Sequence, residues 1–284
     1  MRLEKRISIK DSVDRLKDGM VVGLSGFSYM NPPMGFVREI IRQKKKDLTI
    51  VSGPTSGIET DMLIGAGCVK KVVTAGVAFE RIAGIAPNFR KAAEEGRLDV
   101  WECDEAIWHM GLKAAIYDVP YMLWKAGTGS SIPLLNKEIQ TTEIGGKKYL
   151  KVPKIKPDIS FLHMGLGDKY GNIQTPQNIF LGRVFCERLI AEATQGDVFV
   201  SVERIIPNSE IVKNAERTIL RNVNICENPN GAHPGACNGF YIPDLGHYNE
   251  YVRSCKDGRF EEYLERYVYP EKYPIRQDLN LMIK

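Results

Sequence analysis

Short apolar runs alternate with segments of helical period along the first half of the chain. Most of the runs end in a glycine or another small residue, and the segment after each carries its apolar residues on one face. This alternation is typical of βαβ units, in which parallel strands form a sheet covered on both faces. The pattern predicts, in chain order, strand 20–24, helix 34–43, strand 48–51, helix 61–66, strand 69–75, helix 88–95, strand 98–102 and helix 105–117.

The second half adds an insertion and then returns to the same pattern. Residues 138–152 alternate polar and apolar residues around Gly145-Gly146, which can adopt the positive φ of a tight turn, so a β-hairpin is predicted there. Strands 159–163 and 198–202, with helix 181–193 between them, extend the sheet. A charged, aromatic segment at about 247–284, with its clearest helical pattern at 248–268, predicts a helical tail. We therefore expect one domain spanning 1–284, of the α/β class, with an open and mostly parallel sheet and helices on both faces.

Composition excludes several classes of function. The 39 Lys and Arg residues exceed the 35 Asp and Glu residues only slightly and form no basic arm or stripe, which argues against a nucleic-acid partner. The charged N-terminus and the absence of an apolar run of about 18 residues argue against a signal peptide or a membrane span, so a cytoplasmic location is expected. The 6 cysteines include no C-x-x-C pair, and no metal site is expected.

Ligands of doubly wound sheets bind outside the carboxyl ends of the strands, so the loops after the predicted strands are the candidates for chemistry. The first such loop follows residue 24 and runs through Ser25, Gly26, Phe27 and Ser28 to Asn31. Its glycine permits close approach, and its amides can face an anion or an oxyanion. A plain strand-to-helix turn, with proline ahead of the helix, explains the same residues.

The loop after the second strand is rich in small and hydroxyl-bearing residues. Thr55, Ser56 and Gly57 stand at the mouth of a helix whose first amides could hold a phosphate, although the lysine and spacing of a P-loop are missing. A structural loop remains the alternative. His233 lies in a glycine-rich loop, where it can donate a hydrogen bond to a substrate or hold the loop to the core.

Two neighbouring carboxylates, Asp104 and Glu105, follow the fourth predicted strand. Asp104 can cap the next helix, and Glu105 in its first turn gains from the helix dipole. The same place at the carboxyl end of a strand suits a general base. We expect Asp104 to be the cap and Glu105 to be functional.

The stretch from Asp18 to Phe27, followed by Pro32-Pro33, resembles the signature of the A subunit of class I CoA-transferases, with Ser25 and Asn31 in place of two glycines. The segments around Asp61 and His233 are similar to the glutaconate CoA-transferase branch of these A subunits. Segments around Glu105, at 166–172 and at 200–204 are similar to a related branch that opens a steroid-derived ring on CoA thioesters by hydrolysis. The resemblance covers almost the whole chain and implies the CoA-transferase fold, of the NagB/RpiA-like type.

The resemblance implies a heteromeric enzyme, A2B2 or larger, that moves CoA from an acyl-CoA to a small carboxylic acid. In the family, the acyl-CoA is attacked by a glutamate of the B subunit, and this chain lacks the Ser-Glu-Asn-Gly segment that carries that glutamate in many B subunits. No cofactor is bound permanently, since the CoA thioester is the substrate. The implied substrate-binding residues are Ser25, Gly26, Phe27, Ser28, Asn31, Thr55, Ser56, Gly57 and His233.

Two other functions are consistent with the same fold. In the ring-opening branch, Glu105 would act as the base on a water molecule or on the substrate. A ligand-sensing module that binds a sugar phosphate is the second alternative, although this chain has no fused DNA-binding segment.

Overall fold

A twisted β-sheet forms the centre of the structure, a computed structural model that describes residues 2–177 and 186–270. Nine of the strands in these residues join this sheet, and three form a separate small sheet. The strands are β1 (Val21–Leu24), β2 (Leu48–Ser52), β3 (Val69–Val73), β4 (Asp99–Trp101), β5 (Tyr121–Trp124), β6 (Gln140–Ile144), β7 (Lys147–Pro153), β8 (Ile159–Gly167), β9 (Ile173–Gln174), β10 (Val198–Ile205), β11 (Thr218–Leu220) and β12 (Asn224–Glu227). The α-helices are α1 (Ile9–Asp14), α2 (Met34–Arg42), α3 (Ile58–Gly65), α4 (Glu80–Ala83), α5 (Pro87–Glu94), α6 (Glu105–Ile116), α7 (Ile132–Leu135), α8 (Cys186–Ala193), α9 (Asn208–Lys213), α10 (Leu245–Lys256) and α11 (Phe260–Tyr267).

The parallel part of the large sheet has the spatial order β12, β10, β8, β1, β2, β3, β4. From β1 the chain adds strands outward on one side, and from β8 it adds them outward on the other. The strand order therefore reverses between β1 and β8, which makes the carboxyl ends of these two strands the expected ligand crevice. Strands β9 and β11 extend the sheet as antiparallel partners beyond the end of β1.

Helices cover both faces of the sheet, and each face has its own apolar cluster. On one face, Phe36 of α2 and Met62 of α3 pack with Phe161 and Phe199 of the sheet. On the other, Trp108 of α6 packs with residues of α8 and of the sheet. Central strand β8 is buried on both sides, which explains its nearly continuous apolar sequence. The predicted fold class is confirmed.

The predicted hairpin insertion forms from β6 and β7, joined by Gly145 at φ +59° and Gly146 at φ +70°. A third strand, β5, pairs antiparallel with β7 and was not predicted. Its four residues are all apolar and alternate only between exposed and half-buried, so the sequence lacks the alternation of polar and apolar residues that marks a strand.

The helical boundaries differ from the predictions in two places. Helix α3 begins at Ile58 rather than at 61, which brings Glu59 into its first turn. The helical tail is two helices rather than one, because Gly258 at φ +72° breaks it between α10 and α11. Residues 181–185 of the predicted helix 181–193, and 271–284 of the predicted tail, lie outside the described residues. Within the described part of the chain, every helix is too short or too polar to cross a membrane.

Phe161 links the sheet to the helices on one face. Its ring centroid lies 4.9 Å from that of Phe36 and 5.5 Å from that of Phe199. Truncation of a buried phenylalanine typically costs 3–5 kcal/mol, so Phe161→Ala is expected to lower the free energy of unfolding by about 4 kcal/mol. Tyr117→Ala, at a site that is 64% exposed, is the control and should change it by less than about 0.5 kcal/mol. Equal urea-unfolding midpoints for the two variants would contradict this assignment of the core.

Candidate active site

The loop that follows β1, residues 25–31, lies at the reversal of strand order, and we call it the first loop. The buried Ser25 hydroxyl ties it to β8, since it donates to the Asn31 carbonyl at 2.8 Å and accepts from the His163 amide at 2.9 Å. The sequence predicted a binding loop here, and the structure places it at the crevice that the topology favours.

Three residues of the first loop have positive φ, namely Gly26 at +126°, Ser28 at +57° and Asn31 at +49°. Residues other than glycine rarely adopt a positive φ, and the backbone strain that it causes is found most often at functional sites. The Ser28 amide donates to the Thr55 carbonyl at 2.7 Å and the Asn31 amide to the Ala236 carbonyl at 2.8 Å. The amides of Gly26 and Tyr29 donate to no acceptor in residues 2–177 and 186–270, so these two can face a ligand.

The loop after β2, residues 53–57, packs directly on the first loop. A Cβ at Gly53 would lie 1.9 Å from the Gly26 carbonyl oxygen, so only glycine fits this contact. The buried Ser56 hydroxyl donates to Glu59 Oε1 at 2.7 Å, and the Gly57 amide donates to the same oxygen at 2.7 Å. The Glu59 carboxyl thus accepts the helix-start amide that a phosphate would otherwise use. A substrate-binding role for Thr55, Ser56 and Gly57 stays a prediction.

A buried polar network connects β8, β10 and the loop around residue 230. His163 contacts the Ser201 hydroxyl at 2.8 Å through Nδ1 and Glu203 Oε1 at 2.9 Å through Nε2. Tyr241 donates to Glu203 Oε1 at 2.6 Å, and the Asn230 amide donates to Oε2 at 2.6 Å. Burial alone would raise the pKa of Glu203, but the hydrogen bonds from His163 and Tyr241 outweigh it and lower the pKa. Glu203 therefore carries a charge that fixes the loop around residue 230 to the sheet.

The sequence alone places His163 at the end of a predicted strand and gives it no partner. Ser201 and Glu203 are two residues apart on β10, so they point to the same face of the strand, and β10 pairs with β8 in the register Ser201 to His163. That spacing is the only signal in the sequence, and it becomes informative once the pairing of β8 with β10 is known.

His233 lies in the loop that packs against the first loop, with a cis peptide bond to Pro234. Its ring nitrogen Nε2 is 3.1 Å from Asp244 Oδ2, and its carbonyl accepts from Arg38 at 2.6 Å. From the same loop, the Asn238 amide donates to Asn31 Oδ1 at 3.2 Å. His233 thus holds this loop to the helices behind it, and contact with a substrate stays a prediction.

Two sets of three side chains bring possible metal ligands within 4.8 Å of one another. In each set a histidine nitrogen and a carboxylate oxygen already contact each other, in the pairs His163 with Glu203 and His233 with Asp244. These contacts account for the placement of both pairs, and the absence of a metal stays a prediction from the sequence.

The two carboxylates after β4 have different roles. Asp104 is the helix cap, because its Oδ1 accepts from the Ile107 amide at 2.7 Å. Glu105 is exposed, and its carboxylate makes no hydrogen bond or ion pair with another described residue. It lies near Cys186 at the start of α8, where burial and then the charges of Glu187 and Glu105 raise the pKa of the thiol. Glu105 thus places a carboxylate without a hydrogen-bond or ion-pair partner among the described residues after the carboxyl end of β4.

The first loop also forms one wall of a cavity of about 420 Å³. Phe27, Tyr29 and Met30 contribute apolar surface to this wall, and Ile82 and Leu245 lie across from them. The cavity is suited to an apolar portion of a ligand whose polar end meets the loop amides.

Several known proteins are similar to this chain in sequence and in fold. The family described as Coenzyme A transferase matches residues 6–219. The chain is 32% identical over 269 residues to the cholesterol ring-cleaving hydrolase IpdA subunit of Rhodococcus jostii, covering 89% of this chain and 88% of the relative. It is 28% identical over 271 residues to the A subunit of the 3-oxoadipate CoA-transferase of Pseudomonas knackmussii, covering 92% and 93%. The crystal structure of glutaconate coenzyme A-transferase from Acidaminococcus fermentans matches with a TM-score of 0.86 at 25% identity, covering 95% of this chain and 90% of that one.

The fold is that of an α/β protein with an open, mostly parallel sheet, in which a ligand crevice is expected at the carboxyl ends of β1 and β8. The chain belongs to the coenzyme A transferase family, and the resemblance to class I A subunits is confirmed.

The close contact of Gly53 with the first loop can be tested directly. Gly53→Ala places a methyl group against the Gly26 carbonyl oxygen, and such overpacking is expected to lower the free energy of unfolding by roughly 1–3 kcal/mol. Gly76→Ala is the matched control, because nothing lies within 4 Å of its added Cβ. Chemical denaturation of both variants measures the difference, and a Gly53→Ala protein as stable as the control would rule out the close packing.

Proposed function

We propose that this chain is the A-type subunit of a heteromeric, cytoplasmic enzyme that hydrolyses a carbon–carbon bond in a CoA thioester, with Glu105 as the general base. The observation that carries the proposal is that the exposed carboxylate of Glu105 has no hydrogen-bond or ion-pair partner among the described residues. Asp104 caps the helix, and Glu105 lies in its first turn. The 32% identity to the ring-cleaving hydrolase IpdA, against 28% to the 3-oxoadipate transferase, supports the hydrolytic reaction.

The chemistry assigns a step to each part of the site. Glu105 removes a proton from water, and the hydroxide adds to a ketone carbon of the CoA ester. When the resulting oxyanion collapses, the bond to the neighbouring carbon breaks and that carbon takes up a proton, so a carboxylate and a reduced carbon are formed. We assign the oxyanion donors to the amides of Gly26 and Tyr29, which donate to no acceptor among the described residues.

A second polypeptide is part of the proposal. The relatives above are named as subunits. We propose that a B subunit closes the site, in an A2B2 or larger assembly, and that the acyl-CoA lies between the two chains. The apolar cavity beside the first loop would hold part of the acyl group.

CoA transfer to a small carboxylic acid is the second candidate. It is favoured by the match to glutaconate coenzyme A-transferase over 95% of this chain. In this reaction a glutamate of the B subunit would form the covalent intermediate, and this chain would supply the oxyanion donors and the pocket.

Replacement of Glu105 separates the two candidates. In the purified complex, Glu105→Gln is expected to lower hydrolytic turnover of acyl-CoA substrates by at least about 100-fold, because general-base catalysis is lost. The free energy of unfolding should change by less than about 0.5 kcal/mol, whereas Asp104→Ala should cost about 1 kcal/mol through the lost cap.

Glu102→Gln, at a neighbouring exposed glutamate, is the matched control and should leave turnover unchanged. An active Glu105→Gln complex, with a borohydride-trapped glutamyl adduct on the B subunit, would overturn hydrolysis in favour of transfer.

A further inference from the structure

Two buried carboxyl groups touch the first loop from opposite faces of the sheet. Glu59 belongs to α3 and is 0% exposed, and Glu187 belongs to α8 and is 4% exposed. The apolar clusters on the two faces enclose the two helices separately. The loop is therefore held between two acids that the proposed reaction does not use.

Glu59 lies directly under Gly26. A Cβ built on Gly26 would be 2.9 Å from Glu59 Oε1 and 3.4 Å from Oε2, so the carboxyl packs against the backbone of the loop. Oε1 accepts two hydrogen bonds, from Ser56 and Gly57. Oε2 is buried and has no hydrogen-bond partner among the described residues. A buried oxygen of this kind is costly as a carboxylate and much less so as a protonated acid.

Glu187 meets the other end of the loop. Its Oε1 is 3.5 Å from Asn31 Nδ2. Asn31 anchors the end of the loop through two backbone hydrogen bonds, since its carbonyl accepts from the Ser25 hydroxyl and its amide donates to the Ala236 carbonyl. A change of charge at Glu187 therefore acts on the residue that closes the first loop.

Neither acid has a basic partner in an ion pair within residues 2–177 and 186–270. The titratable group whose charge acts on Glu59 among the described residues is Asp61 on the same helix. The titratable groups that face Glu187 are Cys186 and Cys237, with Glu105 acting on the first thiol and Glu203 on the second. Burial raises the pKa of Glu59 to about 7 and that of Glu187 to about 7.

We propose that Glu59 and Glu187 are positioning residues that hold the first loop in its closed conformation while both are protonated. When either ionises, a buried charge without a counter-ion lies beside Gly26 or Asn31, and the loop opens to let water reach it.

The sign follows from linkage. The folded protein keeps these protons up to about pH 7, whereas the unfolded chain releases them near the ordinary value of 4.5. Between these pH values the native state binds more protons, so the stabilisation of the closed loop falls as pH rises and is lost above about pH 7. Regulation of catalysis by this clamp rests on the proposed function, but the clamp itself is a property of this chain.

Hydrogen exchange of the Ser28 and Asn31 amides reports on the clamp, because both are bonded across the loop in the closed state. After correction for the intrinsic rate, exchange in the wild-type chain is expected to rise about tenfold between about pH 6 and about pH 8. In Glu59→Gln/Glu187→Gln, which mimics the protonated acids, exchange should be the same at both pH values.

Asp61→Asn is the matched control. Asp61 is also buried on α3, but its carboxylate accepts from Phe89 and Tyr251, away from the loop. Burial and, more weakly, the Asp61 charge raise the pKa of Glu59, so in Asp61→Asn the rise in exchange should persist and begin at a slightly lower pH. Equal exchange of wild type at both pH values, or loss of the rise in Asp61→Asn, would overturn the proposal. The wild-type comparison needs no variant to fold. It also needs no substrate or B subunit, so an intact clamp in a chain without acyl-CoA activity would reject only the proposed function.

Discussion

The reversal of strand order between β1 and β8 is the constraint on which the site depends. Two parallel strands lie side by side there while their connections leave in opposite directions, which favours a crevice outside their carboxyl ends. The Ser25 hydroxyl links the first loop to β8, since it donates to the Asn31 carbonyl and accepts from the His163 amide. The strained first loop, the His163 network and the two buried acids are all arranged around this one junction. A parallel sheet without the reversal would offer no such crevice.

Much of the fold could be predicted because its signals are local. Alternating apolar runs and helical segments identified β1 to β4 and their helices, and Gly145-Gly146 identified the hairpin. The parts that could not be predicted depend on tertiary context. Strand β5 is half-exposed and finds its partner only in the folded hairpin, and the break at Gly258 resembles an ordinary helical glycine until its positive φ is seen.

The same division applies to the site. The first loop and the pair Asp104 and Glu105 were evident from their positions after predicted strands, and the structure confirms the prediction that Asp104 is the cap. Glu59 was missed, since the helix was predicted to begin at residue 61, whereas it begins at Ile58. Its carboxyl accepts the hydrogen bond of the Gly57 amide, one of the amides that the sequence analysis considered as donors to a phosphate. The partnership of His163 with Glu203 required the register of β8 with β10, which no single sequence reveals.

In the proposed reaction this chain supplies the general base that activates a water molecule. In a transferase it would supply only part of the substrate pocket. The decisive measurement is a single turnover of the complex with its second polypeptide, run in water labelled with heavy oxygen. Hydrolysis predicts one labelled oxygen in the newly formed carboxylate and no transfer of CoA to an added acid. A product carboxylate without label, together with CoA found on the added acid, would exclude hydrolysis.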